Sequence, residues 1–271
     1  LQTKTGRSID WVKADEEILK ALSTARSGSI RVLVDDVPSP ARDRALEQFR
    51  SKYNAKVIRY RQHPVEAMAK AHETLGRRGI PFIRFDKADV VVSVDADFLG
   101  RWLRPTEFTK DFSSRRNIHH EGENQNQLFV FESQYSITGV AADYRFSIKP
   151  SAQLKILLAL AGEISKSSSF DGSLAGASRK QSLESIAAET GVPAAEIQRA
   201  AAALMNARGK SVVVTTMNGP QALACQIVAA NINDALGNYG SVLDWSRELL
   251  MGREKQEDFD ALVQDMSNGA V

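Results

Sequence analysis

Apolar positions in this chain fall into short β-branched runs separated by longer stretches with helical spacing. Trp11, Ile18, Leu19 and Leu22 share one face of a helix predicted over 10–25, and Gly28 stops it. The first predicted strand, 29–36, ends in Asp35 and Asp36. Pro38 and Pro40 then open a helix that runs to Tyr53, proline suiting the first turn. A strand over 55–60 and a helix over 64–75 follow, with Gly76 and Gly79 as the stop. Val90, Val91, Val92 and Val94 make the most hydrophobic strand, and their branching predicts burial on both faces. Further strands are predicted over 127–132, 144–148 and 211–216, with a short extended piece over 81–86. Helices are predicted over 106–116, 152–164, 181–190, 194–208 and from Gly219 and Pro220 to Leu236. The polar stretch 117–126 reads as a loop and the Ser-, Gly- and Ala-rich stretch 165–178 as a linker.

This alternation predicts an α/β chain: a doubly wound, mainly parallel, Rossmann-like sheet with helices on both faces. The expected organisation is a lead-in helix over 1–27 packed on the sheet edge, an α/β domain over 28–240 and a charged helical tail over 241–271. Ligands of such sheets sit beyond the carboxyl ends of the strands. Those ends carry Asp35 and Asp36, Asp95 and Asp97, Glu132, and Thr216 followed by Met217, Asn218 and Gly219. The stretch 88–150, with two apolar strands and polar runs after each, is the expected crevice.

Composition narrows the classes. A chain of 271 residues with 43% hydrophobic residues can build one large α/β domain or two small ones. A net charge of +2 gives no field for nucleic acid or a membrane surface. The single cysteine, Cys225, excludes a disulfide framework or a cysteine-ligated cluster within the chain. Its place in an apolar helix predicts a buried, inert thiol. No apolar run approaches the roughly 18 residues of a bilayer span, and no signal-peptide pattern is present. The start at Leu1 rather than Met is read as a piece of a longer chain.

No Gly-x-Gly-x-x-Gly or Gly-x-x-x-x-Gly-Lys pattern occurs, so a dinucleotide or P-loop site has no motif behind it. The acids at the strand ends have the wrong sign for a phosphate, which prefers bare backbone N–H groups there. Asp95 and Asp97 could instead hold Mg²⁺. An apolar strand ending Asp-x-Asp also resembles the first motif of haloacid-dehalogenase-type phosphotransferases, which would make Asp95 a nucleophile and Asp97 a general acid. Against this stands helix capping and loop hydrogen bonding by the same aspartates. His119, His120, Glu121 and Glu123 read as a solvated loop ahead of a metal cluster. His63 and His72 read as isolated surface or capping residues. Asp143 and Arg145 are placed to form an ion pair.

A longer ordered string carries more weight. The chain resembles the molybdopterin oxidoreductase superfamily of dimethylsulfoxide reductase and formate dehydrogenase, on Val91–Phe98, Val130–Ser133, Thr138–Asp143, 149–152, the turn Gly191-Val192-Pro193 and the run Leu236-Gly237-Asn238-Tyr239-Gly240. Within it, Phe108-Thr109-Lys110-Asp111-Phe112, Arg115, Arg116 and the string from Glu132 to Ser151 are most similar to the large iron–sulfur subunit of bacterial alternative complex III. Members of the superfamily bind molybdopterin guanine dinucleotide and iron–sulfur clusters.

The departures bear on function. Asp95-Ala96-Asp97-Phe98 stands where active members carry Gly-Ala-Asn-Pro, and Arg59-Tyr60-Arg61-Gln62-His63 where many carry Arg-x-Cys-His. The resemblance therefore implies a scaffold with no cofactor in this fragment, part of a membrane-attached quinol-oxidising complex on the periplasmic side of a bacterium. Its implied partners are other domains of the same polypeptide and iron–sulfur, cytochrome c and integral membrane subunits. The alternatives are an active molybdopterin oxidoreductase whose metal ligand lies outside the fragment, and Mg²⁺-dependent phosphoryl transfer by Asp95 and Asp97. The residues of the vestigial or active cofactor crevice are Asp95, Asp97, Ser133, Thr138, Asp143 and Asn218, with no metal ligand and no catalytic residue assigned.

Overall fold

The alternation of runs becomes, in the computed structural model, an α/β chain in which residues 6–35, 39–60, 65–117, 124–166, 182–249, 251 and 255–271 are described. The helices are α1 (Trp11–Thr24), α2 (Pro40–Tyr53), α3 (Glu66–Glu73), α4 (Pro105–Ser114), α5 (Ile137–Val140), α6 (Gln153–Ser165), α7 (Leu183–Thr190), α8 (Ala194–Asn206), α9 (Ala222–Ala235) and α10 (Gln256–Ser267). The strands are β1 (Arg31–Asp35), β2 (Lys56–Tyr60), β3 (Phe82–Ile83), β4 (Val90–Val94), β5 (Gln127–Glu132), β6 (Tyr144–Ser147), β7 (Ser211–Thr215) and β8 (Leu243–Asp244).

Two compact units result, one from residues 1–64 with 251–271, the other from 65–250. In the first, β1 and β2 pair in parallel as a two-stranded sheet of their own. Among the described strands, each of the two is hydrogen-bonded only to the other. Helix α10 packs on β2, with Phe259 stacked on Tyr60 at 4.5 Å and Asp265 paired with Arg31 at 2.8 Å. The apolar face of α1 is not packed away as the sequence suggests. Trp11 is 71% exposed, Ile18 and Leu19 are also open, and the helix buries only the small Ala14.

The second unit is built on a four-stranded parallel sheet in the order β6-β5-β4-β7. Every residue of β4 and β7 is buried, as their valine-rich runs require of strands covered on both faces. On one face Val92, Val94, Phe129, Phe131 and Val213 form a core with the apolar sides of α6, α8 and α9. Alternate residues such as Val91, Leu128 and Val212 are equally buried and must point the other way. Strand β7 is an edge, and α9 covers it: Asn233 accepts from Val213 N–H at 2.9 Å and donates to its carbonyl at 2.8 Å. A side-chain amide thus stands in for the missing strand.

Two small elements escape the sequence reading. Strand β8 pairs antiparallel with β3 inside what reads as a helical tail. Helix α5 is a single turn capped by Ser136, whose hydroxyl accepts from Gly139 N–H at 3.0 Å. His72 is buried rather than on the surface, edge-on to Tyr239 and Trp245. Cys225 is buried, and burial pushes its thiol up to about 11. Asp36, His63, the cluster from His119 to Glu123 and 167–178 of the expected linker lie outside the described residues. Among the described residues, no helix is long and apolar enough to cross a membrane.

Candidate functional site

The order β6-β5-β4-β7 reverses its direction of growth at β4, so the loops after β4 and β7 part and leave a crevice between them. A cavity of about 540 Å³ lies there. Asp95, Asp97, Arg101, Glu132, Ser133 and Asn218 are among its lining residues. Four of the six sequence-derived positions, Asp95, Asp97, Ser133 and Asn218, thus line one cavity.

Its floor is set by the turn after β4. Ser93 is fully buried, and its hydroxyl donates to the Ala96 carbonyl at 2.8 Å, folding the chain back on itself. Asp95 continues the ladder, its N–H donating to Phe131 at 2.8 Å, but its φ is +56°. That left-handed backbone favours glycine and tolerates aspartate. The exchange of the resembled family's glycine for Asp95 is therefore one the backbone accepts. The Asp97 carbonyl then accepts from the N–H groups of Gly100, Arg101 and Trp102, which closes the loop.

The carboxylates face inward onto donors. Asp95 accepts from Ser133 N–H at 3.2 Å, from the Ser133 hydroxyl at 3.0 Å and from the Gln153 side-chain amide. Asp97 accepts from Thr138 N–H at 3.1 Å and from the Thr138 hydroxyl at 2.9 Å. Thr138, the fifth expected residue, is fully buried behind Asp97, where its hydroxyl oxygen also accepts from Leu99 N–H. Glu132 receives the Ser136 hydroxyl at 2.5 Å and Arg145 Nε at 2.6 Å. The Arg145 guanidinium lies over the exposed Tyr135 ring at 4.2 Å.

Two glycines are fixed by these carboxylates. A Cβ on Gly100 would stand 2.2 Å from Asp97 Oδ2, and one on Gly139 would stand 1.9 Å from Glu132 Oε1. Neither is among the positive-φ glycines, so space and not backbone freedom excludes a side chain.

Asp143, the sixth position, is not brought into the crevice. It sits at the amino end of the sheet, where its carboxylate accepts from Leu128 N–H and from both arms of Arg116. The expected pairing of Asp143 with Arg145 is replaced by two others, Asp143–Arg116 and Glu132–Arg145. Residues 143 and 145 bracket the start of β6, and Arg145 turns toward Glu132 on the neighbouring strand. Gln153 and Arg101 were not singled out by the sequence, and Ser136 entered only as one position of the resembled string from Glu132 to Ser151. A lone glutamine opening an otherwise apolar helix is the one signal that could have drawn attention to the first.

Among the described residues, no group of three or more His, Cys, Asp or Glu side chains converges as a metal centre would require. Both Asp95 oxygens and Asp97 Oδ1 are engaged by N–H and O–H donors, whereas a Mg²⁺ site needs oxygens turned toward the ion.

No family model matches the chain. The menaquinone reductase, molybdopterin-binding-like subunit, of Nitratidesulfovibrio vulgaris is 26% identical over 240 residues, which is 85% of this chain and 34% of that protein. Acetylene hydratase from Pelobacter acetylenicus has a TM-score of 0.63 over 88% of this chain and 34% of that one, at 14% identity, so that likeness is one of fold. The chain spans about a third of the length of both. It is thus similar in sequence to a molybdopterin-binding-like reductase subunit, and its α/β architecture around a parallel sheet is shared with acetylene hydratase.

Proposed function

We propose that this chain is a molybdopterin-oxidoreductase-like domain that binds no pterin cofactor and serves as a structural and interaction module of a quinone-linked electron-transfer complex. One observation carries the reading: the hydrogen-bond donors at the carboxyl ends of β4 and β5 are spent on Asp95 and Asp97. The diphosphate of a dinucleotide binds best where backbone N–H groups are bare. Here it would meet two carboxylates whose donors already point at them, and like charges at that separation repel. These residues do not fit the group, and no step of catalysis is assigned to it.

The order β6-β5-β4-β7 supports reading the sheet as one half of a doubly wound, Rossmann-like arrangement. The relative's name joins menaquinone to a molybdopterin-binding-like subunit, which supports the quinone-linked setting. The string from Glu132 to Ser151 supports the finer placement beside the large iron–sulfur subunit of alternative complex III. The proposed partners are the rest of that polypeptide and iron–sulfur, cytochrome c and membrane subunits, on the periplasmic side of a membrane.

Elemental and pterin analysis of the full-length protein, purified from its own cells, tests this. Neither molybdenum nor an oxidised pterin fluorophore should accompany the protein. Stoichiometric molybdenum, with pterin released on denaturation, would show the site to be in use.

A further inference from the structure

We infer that the free edge of β6 is a self-association surface, on which a second copy of this chain pairs antiparallel about a two-fold axis at Phe146 and joins the two sheets into one. The surface does not depend on what the crevice holds.

The two edges of the sheet differ. At β7 the Asn233 amide takes up the outer groups of Val213. At β6 nothing comparable does. Ile148 N–H donates to the Glu132 carbonyl at 3.0 Å, and with Tyr144 in register with Phe129 this turns the backbone groups of Tyr144, Phe146 and Ile148 toward β5. Those of Arg145 and Ser147 therefore point outward, and among the described residues no hydrogen bond takes them up. Such a row of donors and acceptors is a template for another strand. Tyr144 and Phe146 stack on Phe129 and Phe131 at 4.6 and 5.1 Å yet stay only half-buried, so the core reaches this edge without being closed. Beside it, the crossover from β5 carries Tyr135, Ile137 and Val140, three of the four large apolar side chains exposed among the described residues of 65–250.

The edge is its own complement. Pairing through the outward groups can set Arg145 against itself, against Lys149 or against Ser147 of the second copy. The first two oppose like charges, which destabilises a strand pair. The third opposes none. It places Phe146 against its own copy, Tyr144 against Ile148, and Asp143 against the exposed Lys149, an acid against a base on each side of the axis. The Arg145 charge is already spent on Glu132 at 2.6 Å and does not resist the approach.

Sedimentation equilibrium of the full chain tests this, with circular dichroism to confirm folding. The wild type should be a dimer at micromolar concentrations. Ser147→Pro, which blocks an outward N–H that β5 does not use, should weaken the dimer at least about a hundredfold. Lys149→Glu sets acid against acid and should weaken it about tenfold, less so in high salt. Phe146→Cys should close an intermolecular disulfide on mild oxidation, because residues at the axis face each other across a non-hydrogen-bonded pair, whereas Ser147→Cys alone should not. If Ser147→Pro does not fold, Lys149→Glu and the two cysteine variants decide in its place. A monomeric wild type overturns the inference and leaves the edge to a strand of another polypeptide. A dimer that either folded charge or proline variant leaves unweakened, or that Ser147→Cys cross-links and Phe146→Cys does not, overturns it as well.

Discussion

The two ends of the central sheet treat their acids differently. At the amino end, Asp89 pairs with Arg115, and Asp143 is clasped by both arms of Arg116 while it accepts from Leu128 N–H. At the carboxyl end, Asp95 and Asp97 take hydroxyl and amide donors instead. The first arrangement is specific to a carboxylate at one place, because a guanidinium fork matches it on both oxygens. The second would serve any oxyanion. The acids of the amino end therefore belong to the fold, as does the Arg145-paired Glu132 at the carboxyl end, while Asp95 and Asp97 belong to a site.

Acid pH is the broadest test, and a third region must first be separated from it. His72 lies buried against Tyr239 and Trp245, and burial pushes its imidazole down to about 4, with Arg77 adding to the effect and a hydrogen bond to Gly79 opposing it. The unfolded chain takes up this proton near pH 6.5 and the folded chain near 4, so stability is full above 6.5 and falls as pH drops toward 4. The loss is on the order of 3 kcal/mol. Urea unfolding at pH 7 and at about pH 4.5 should show this slope in the wild type and its absence in His72→Leu. A slope that persists in the variant would place the acid sensitivity in the carboxylates after all.

At the carboxyl end the packing around Glu132 is the next largest effect. A methyl on Gly139 would sit 1.9 Å from Glu132 Oε1, and that carboxylate is pinned by Arg145 and Ser136. Gly139→Ala should lose about 3 kcal/mol, because the buried ion pair must break or the turn must move. A loss below about 0.5 kcal/mol would mean that Glu132 swings aside freely, and the carboxyl end would then be looser than the comparison supposes.

The strands and most helices were legible in the sequence because β4 and β7 are covered on both faces and so read as valine-rich runs. The same signal misled at β1. Val32, Leu33 and Val34 look like a buried strand, yet Leu33 is exposed in a separate two-stranded sheet. Hydrophobic runs record propensity for a strand and not which sheet it joins. Strand β8 and helix α5 are too short to leave a period. His72 reads as a surface residue between Ala71 and Glu73 because the rings that bury it come from Tyr239 and Trp245, far along the chain. In the site, Asp95, Asp97 and Glu132 were visible as strand-end acids. Gln153 was not, since it reaches Asp95 from 58 residues away. Gly100 and Gly139 carried no turn signal, because neighbouring carboxylates demand them.

Asp143 sharpens the amino-end half of the contrast. Burial works against its charge, but the Arg116 fork and the Leu128 N–H outweigh that and hold the carboxyl below its usual value. A depressed carboxyl stabilises the fold above the unfolded value near 3.9, and this is lost as pH falls below it. Asp143→Asn should lose about 1.5 kcal/mol at pH 7, discounted for partial exposure, and the gap to the wild type should narrow near pH 3. Chemical denaturation at the two pH values checks both. A gap that stays constant with pH would make the contribution one of shape, not charge.

The smallest effect divides the two ends most sharply. If Asp95 were a fold acid like Asp143, any replacement would weaken the protein by a similar amount. As an acid in a site, standing at a φ of +56°, it should behave otherwise. Asp95→Gly relieves the left-handed strain while its former donors turn to water in an open crevice, so stability should stay within about 1 kcal/mol of the wild type. Asp95→Ala loses the same hydrogen bonds and keeps an unfavourable Cβ, so it should fall below Asp95→Gly by about 1 kcal/mol. Denaturation midpoints of the two variants measured side by side decide it. Equal losses in both, as large as that of Asp143→Asn, would place Asp95 with the fold, and the distinction between the ends of the sheet would dissolve.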